Sequence, residues 1–269
     1  MRQPVRGEEM RHVKLQIRGL TATYRTARGT ITALNGIDLD VREGEKVVIL
    51  GPSGCGKSTL LKIVAGFERA AAGSVCVDGL PVSGPGPDRA FVFQEFDQLF
   101  PWLTVSGNLS FALRVARGVT GREAERAIDE VLSLVGLSRW RDLYPHQLSG
   151  GMKMRVAIAR ALVLNPAVLL MDEPFAALDA QSRSLLQAEV NRMLAETGQT
   201  LLFVTHSIEE ALVLGDRIVV LSASPGRVRQ IIEPAVTGVT LLERPEGAEL
   251  RRVIRQLLEQ DRVAGEMAS

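Results

Sequence analysis

The sequence is poor in cysteine, aromatics, net charge and long apolar runs, and each shortage closes off a class of protein. Two cysteines among 269 residues make neither a disulfide framework nor a multi-cysteine zinc site. Lysine and arginine number 32 against 31 aspartates and glutamates, so affinity for nucleic acid through a blanket of basic charge is excluded. No stretch reaches the roughly 18 apolar residues that a spanning helix needs. The most apolar segments, 161–171 and 211–223, are interrupted by Asn165 and Pro166 and by Asp216 and Arg217. The opening MRQPVRGEEMRHVKL has basic residues but no apolar h-region, so it does not read as a secretory signal. The expectation is a cytosolic chain that reaches a membrane only through a partner.

What is present is an ordinary globular composition, 46% hydrophobic and 23% charged, which excludes disorder as the dominant state. The length fits one α/β domain with an insert, or two small domains. Residues 1–11 are polar and read as a loose tail. Val13, Leu15 and Ile17, and later Ile37, Leu39 and Val41, alternate with polar residues. Both sets predict half-exposed antiparallel strands. Short apolar runs at 46–50, 74–77, 89–93, 167–171, 200–204, 217–221 and 228–232 predict further strands. Helical periodicity marks 58–65, 181–196 and 208–214. It also fills 105–116, 122–135 and 150–164, so residues 95–165 form a helical block. Strands alternating with helices predict a mostly parallel sheet with crossover connections. Near the end, Leu250, Val253, Ile254, Leu257 and Leu258 repeat at helical spacing. That stripe packs either on the chain's own core or on another subunit.

Gly51-Pro52-Ser53-Gly54-Cys55-Gly56-Lys57-Ser58-Thr59 fits the pattern G-x-x-x-x-G-K-[ST] between a predicted strand and helix. The glycines let the backbone curl so that several N–H groups point inward at phosphates, and the following helix adds its N-terminal partial charge. Lys57 reaches the β and γ phosphates, and the Ser58 hydroxyl is a ligand for Mg²⁺. The bare pattern arises by accident in roughly one of 100 chains of this length, and its strand and helix context lowers that further. The Cys55 thiol needs no chemical role, because its position contributes backbone.

Val168-Leu169-Leu170-Met171-Asp172-Glu173 is an apolar strand ending in two carboxylates, where ligands gather in open α/β sheets. Asp172 has the chemistry to hold a Mg²⁺ shell. Glu173 points differently and is suited to orient and deprotonate an attacking water. Leu148-Ser149-Gly150-Gly151-Met152 opens a helix with Ser149 as N-cap.

Taken in this order, the phosphate loop, Leu-Ser-Gly-Gly and the acidic strand end resemble the nucleotide-binding subunits of ABC transporters over residues 12–232. The resemblance implies a P-loop NTPase (RecA-like) α/β core with an antiparallel β subdomain and an inserted α-helical signature subdomain at about 95–165. Residues 233–269 are then a C-terminal helical extension. It implies that Tyr24 stacks on adenine, with a buried core tyrosine as the alternative. Gln94 would sense Mg²⁺ and the attacking water, Asp179 would cross a dimer interface, and His206 would contact the γ-phosphate. Two copies would sandwich two ATP molecules head to tail, with Ser149, Gly150 and Gly151 of one facing the γ-phosphate held by Lys57 of the other. One departure stands out: the family's glutamine after Leu-Ser-Gly-Gly is Met152 here, so any polar contact of that glutamine is lost.

One phosphate loop and no spanning helix resemble the detached ATPase of an importer. It would act at the cytoplasmic face of the inner membrane as a peripheral subunit, with separate permease subunits and a periplasmic or lipoprotein solute-binding protein. The segments LFPWLTV, LSGGMKMR and LSASPGRV are similar to the nitrate/sulfonate/taurine branch. Phe96, Phe100 and Trp102 cluster in a chain with few aromatics, either as buried packing or as the lining of a permease-docking groove. The rival is a non-transport ABC ATPase acting on nucleic acid or ribosomes. Such chains carry paired cassettes or coiled-coil arms, and this one has neither, nor a basic run. A P-loop kinase or GTPase leaves Leu148–Gly151 unexplained.

Overall fold

The computed structural model describes residues 12–27, 29–95 and 98–266. The expected tail at 1–11 and Phe96 lie outside the described residues. Strands β1 (Val13–Thr26) and β2 (Gly29–Arg42) pair antiparallel, with Leu15 opposite Val41, Ile17 opposite Leu39 and Leu20 opposite Ile37. Both run further than the sequence predicts. Register shifts between Ile17 and Leu20, Leu20 and Ala22, and Ala22 and Thr23 break the strict alternation that marks a strand in the sequence. Strand β4 (Ala72–Val77) flanks β1, and β5 (Leu80–Pro81) closes the sheet in the order β2-β1-β4-β5.

A second sheet contains β3 (Lys46–Leu50), β6 (Arg89–Val92), β7 (Val168–Asp172), β8 (Leu201–Thr205), β9 (Arg217–Leu221) and β10 (Val228–Ile232). Its order is β10-β9-β3-β8-β7-β6, parallel throughout except for the β9–β10 edge. Period-two alternation sorts the central strands into two cores. Val47, Ile49, Leu170, Leu202 and Val204 face the antiparallel sheet and α1 (Lys57–Ala65), meeting Ile17, Leu39 and Leu60. Val48, Leu50, Leu169, Met171 and Phe203 face the other way. There they meet α4 (Gly150–Leu162), α5 (Ala180–Thr197) and α6 (Ile208–Leu214). Strands buried on both faces read as continuous apolar runs, which is how they appear in the sequence.

Helices α2 (Val105–Arg117) and α3 (Gly121–Leu134) join α4 between β6 and β7. Phe100 packs edge-on against Phe111 at 4.7 Å, with the Arg160 guanidinium 5.7 Å from its ring centre. Trp102 lies 5.5 Å from Phe100 but is 70% exposed, so the aromatic cluster divides between packing and surface. After α7 (Val239–Leu242), α8 (Pro245–Glu266) buries Ile254 and lays Leu250, Leu257 and Leu258 on the second core beside α6 and β9. The C-terminal stripe therefore packs on the chain's own core.

Candidate active site

Strands β3, β8 and β7 are adjacent and parallel, so their carboxyl ends present three segments side by side: the loop 51–56, Asp172 with Glu173, and His206. The loop turns on Gly54 (φ +80°) and Gly56 (φ +96°). At Gly56 the need is double. Its backbone lies in the left-handed region, and a Cβ there would stand 2.7 Å from Leu34 Cδ2 and 2.9 Å from the Ala33 carbonyl. Gly56 caps α1 without a side-chain hydrogen bond, and no acidic residue lies in the helix's first turn. The amide groups there are thus left to an anion. Lys57 is buried, and its Nζ donates to the carbonyls of Gly51 at 2.9 Å and Pro52 at 3.0 Å. Cys55 is buried in the first core, its Sγ 2.7 Å from where a Gly51 Cβ would stand. Its thiol packs the underside of the loop.

Ser58 Oγ donates to Asp172 Oδ1 at 3.0 Å. Burial pushes the Asp172 carboxyl up, and the neighbouring Glu173 adds to this. The Ser58 hydrogen bond, Lys62 and Lys57 pull the other way. A half-buried carboxylate joined to a hydroxyl is a pair of hard oxygen donors that gains from a dication, and so fits Mg²⁺. Among the described residues no group of three or more His, Cys, Asp or Glu side chains is placed to hold a metal. A Mg²⁺ here would need further ligands from phosphate and water, as that ion commonly does.

Glu173 is a non-glycine residue at φ +44°, a conformation that costs of order 1–3 kcal/mol and clusters at functional sites. Its N–H donates to the Val204 carbonyl at 3.0 Å, tying the strained residue to β8. Its Oε2 lies 2.8 Å from His206 Nδ1. The Glu173 side chain is 18% exposed and that of His206 60%, so the carboxylate is sheltered and the imidazole faces outward. Val92 pairs with Met171, so Gln94 and Glu173, each two residues further on, leave the sheet at the same level. The exposed Gln94 is flanked by contacts of Gln98. That amide accepts from Phe93 N at 3.2 Å and donates to the carbonyls of Phe93 and Glu95, each at 2.8 Å.

Tyr24 is 40% exposed on β1, so it is not a core tyrosine. Its hydroxyl donates to Glu68 Oε2 and lies 3.0 Å from Thr59 Oγ1. Burial, then the Glu68 carboxylate, hold this phenol above its ordinary value. Those contacts fix the ring beside the start of α1.

The helix-opening serine lies elsewhere. Ser149 caps α4, accepting from Met152 N at 3.3 Å. Ser149, Gly150, Gly151, Leu178 and Asp179 line one cleft of about 370 Å³, which no residue of 51–59, and none of Asp172, Glu173 or His206, lines. Asp179 caps α5, accepting from Ser182 N at 3.0 Å and Gln181 N at 3.1 Å. The Ser182 and Gln181 contacts hold its carboxyl below the usual range. Met152 is half-buried against the second core, so an apolar side chain suits its place.

Residues 34–176 match the ABC transporter family. This chain belongs to that family. The ABC protein is 43% identical over 212 residues to the taurine import ATP-binding protein of Pelagibacter ubique, covering 78% of this chain and 79% of that one. It is 43% identical over 235 residues to the nitrate import ATP-binding protein of Synechococcus elongatus, covering 85% of each. In three dimensions it is similar to the dimeric post-hydrolysis ATP-binding cassette MJ0796 bound to ADP and Pi. That likeness has a TM-score of 0.69 at 34% identity, over 81% of this chain and 98% of the other. The ABC protein is thus an ATP-binding ATPase with a P-loop NTPase fold, similar to import subunits for nitrate and taurine. No helix among the described residues is long and apolar enough to cross a membrane.

Reading the sequence missed several residues around this site. Gln98, Glu68, Thr205 and Glu210 hold the others in place, yet each is a common polar residue outside any motif. Glu210 follows Glu209 in the first turn of 208–214, where acidic residues are ordinary, so its burial had no signal in the sequence.

Proposed function

We propose that this ABC protein is the ATP-hydrolysing subunit of an importer, in which two copies enclose two ATP molecules head to tail. The observation that carries the reading is the separation of two phosphate-seeking surfaces within one chain. Loop 51–56, Lys57, Asp172, Glu173 and His206 share the strand ends, whereas the Ser149 helix N-terminus opens into a different cleft with Asp179. A second copy, turned about a two-fold axis, brings Ser149, Gly150 and Gly151 to the γ-phosphate of the first.

In each composite site, the loop amides and Lys57 bind the β and γ phosphates. Tyr24 offers its exposed ring to the adenine. Ser58, Asp172 and Gln94 would hold Mg²⁺, which offsets phosphate charge when bound. Glu173 orients a water and takes its proton as the water oxygen bonds to the γ-phosphorus. The bond from that phosphorus to the β-bridging oxygen breaks, and ADP and phosphate leave. His206, 2.8 Å from Glu173, fixes the carboxylate through Nδ1 and contacts the γ-phosphate. Asp179 lies at the border between copies. Hydrolysis removes the shared γ-phosphate contacts and the pair opens.

The reading extends to assembly. Residues 12–232 form the ATPase domain, 95–165 its signature-bearing helical part and 233–269 an extension. The ABC protein acts as a peripheral subunit at the cytoplasmic face of the inner membrane, on separate permease subunits, with Trp102 exposed at the docking side. A solute-binding protein delivers a small anion of the nitrate, sulfonate or taurine type; the likeness to taurine and nitrate import proteins supports this class. The test is light scattering of Glu173→Gln with and without ATP. ATP-dependent doubling of the mass is expected, and a monomer at saturating ATP would overturn the reading.

A further inference from the structure

The Glu173–His206 contact depends on an imidazole that packing barely holds, since the His206 side chain is 60% exposed. Its position therefore follows the backbone of the turn 205–207. That turn is gripped from one residue. Glu210, on α6, is 5% exposed, and its Oε2 accepts from Thr205 Oγ1 at 2.6 Å. The same Thr205 hydroxyl accepts from Ser207 N at 3.0 Å, so it spans the residue between them, His206. The backbone N–H of Glu210 donates to Ser207 Oγ at 3.2 Å. Glu210 thus holds both neighbours of the histidine.

The other carboxylate oxygen faces a different element. Gln187 Nε2, on α5, donates to Glu210 Oε1 at 3.2 Å. One turn earlier on α5, Arg183 adds an attractive charge to Glu210 and donates through Nη2 to the Leu178 carbonyl at 2.9 Å. Leu178 precedes Asp179, the cap of α5. A carboxylate among Ala211, Leu212, Val213 and Leu214, all buried, is a costly choice for a helix that needs only apolar contacts. Both of its oxygens are engaged, and they join the histidine turn to the helix that Asp179 caps.

We propose that Glu210 is a positioning residue for ATP hydrolysis, setting His206 against Glu173 through Thr205 and tying that pair to α5 through Gln187. The inference rests on the catalytic roles given above to Glu173 and His206. Glu210, buried and hydrogen-bonded to Thr205 and Gln187, acts through those residues. Misplacement of a catalytic group by about 1 Å costs up to about 100-fold in rate, while the phosphate loop and its ATP affinity are left alone.

The test uses the full chain, with phosphate release normalised to sites that bind ATP. Glu210→Ala and Thr205→Val are each expected to lower kcat about 10- to 100-fold with KM for ATP within about two-fold. The double variant is expected to be no slower than the worse single one, because both break one linkage. Glu210→Gln keeps an acceptor for Thr205, and Gln187 can turn its amide to suit; it is expected to recover most of kcat. A structural role instead predicts lost binding sites, parallel loss of kcat and KM, or multiplying effects, and any of these overturns the proposal. If Glu210→Ala does not fold, Thr205→Val decides alone: a normal kcat refutes. If Glu173→Gln also turns over normally, the catalytic assignment has failed. If Glu173→Gln is inactive while Thr205→Val and Glu210→Ala are normal, only the positioning role has failed.

Discussion

Replacing Glu173 by Gln is the sharpest single perturbation of the proposed chemistry. Glutamine keeps the volume of the side chain, and the backbone N–H bond to Val204 at 3.0 Å is untouched. Neither residue is glycine, so the strain at φ +44° is about equal in both and the fold is expected to persist. The amide still pairs with His206 Nδ1, which lies 2.8 Å from the native carboxylate. What disappears is a proton acceptor. Loss of a general base costs about 10²- to 10⁴-fold, or roughly 3–5 kcal/mol of barrier at about 1.4 kcal/mol per decade. Binding moves in the opposite direction. Glu173 raises the pKa of Asp172 by repulsion, and it repels phosphate charge in the same way. The variant is expected to bind ATP as tightly as the native chain or more so. Steady-state phosphate release measures the first effect, and equilibrium binding of labelled ATP the second. Turnover within three-fold of native at normal ATP occupancy, far short of the roughly 100-fold lower edge of that range, would refute the assignment of Glu173.

Lys57→Ala removes the buried ammonium beside the loop. At about 1.5–3 kcal/mol for a charge-assisted hydrogen bond, ATP affinity is expected to fall roughly 10- to 150-fold; calorimetry showing native affinity would refute the cradle. Glu210 gives a pH signature. Burial raises its carboxyl above the ordinary value, against the opposing pulls of Thr205, Arg183, His206 and Gln187. The folded chain therefore holds that proton more tightly than the unfolded chain. Its contribution to stability is full below the unfolded value and is lost as pH rises through the raised one. The Tm of native chain relative to Glu210→Gln is expected to fall as pH rises above the ordinary carboxylate range of about 4; a difference that grows with pH would contradict this.

Much of the candidate site is legible in the sequence because it lies at the ends of buried strands. Lys46–Leu50, Val168–Asp172 and Leu201–Thr205 are apolar runs, each followed by residues of the candidate site. Their parallel pairing brings the three ends together. The hairpin of β1 and β2 is only half legible, since its register shifts interrupt the alternation. The fate of the C-terminal stripe is not readable at all: helical spacing says that a face is buried, not against what. Burial of Ile254 on the chain's own core depends on long-range packing. The supporting contacts of Glu210, Thr205 and Gln187 join β8, α6 and α5, and sequence spacing carries no record of such tertiary links. Tyr24 shows the same limit: its exposure separates a surface ring from a core tyrosine, and exposure is a property of the fold.

The composite site is tested most directly by mixing two inactive variants. Lys57→Ala damages the phosphate loop, and Ser149→Arg blocks the cap of α4. Each alone spoils both sites of a symmetric pair. A mixed pair places both lesions in one site and leaves the other intact. Random pairing of equal amounts, with independent sites, is expected to restore about a quarter of native ATP turnover. A mixture no more active than its separate components, or Ser149→Arg turning over ATP normally by itself, would contradict a reaction centre shared between two chains.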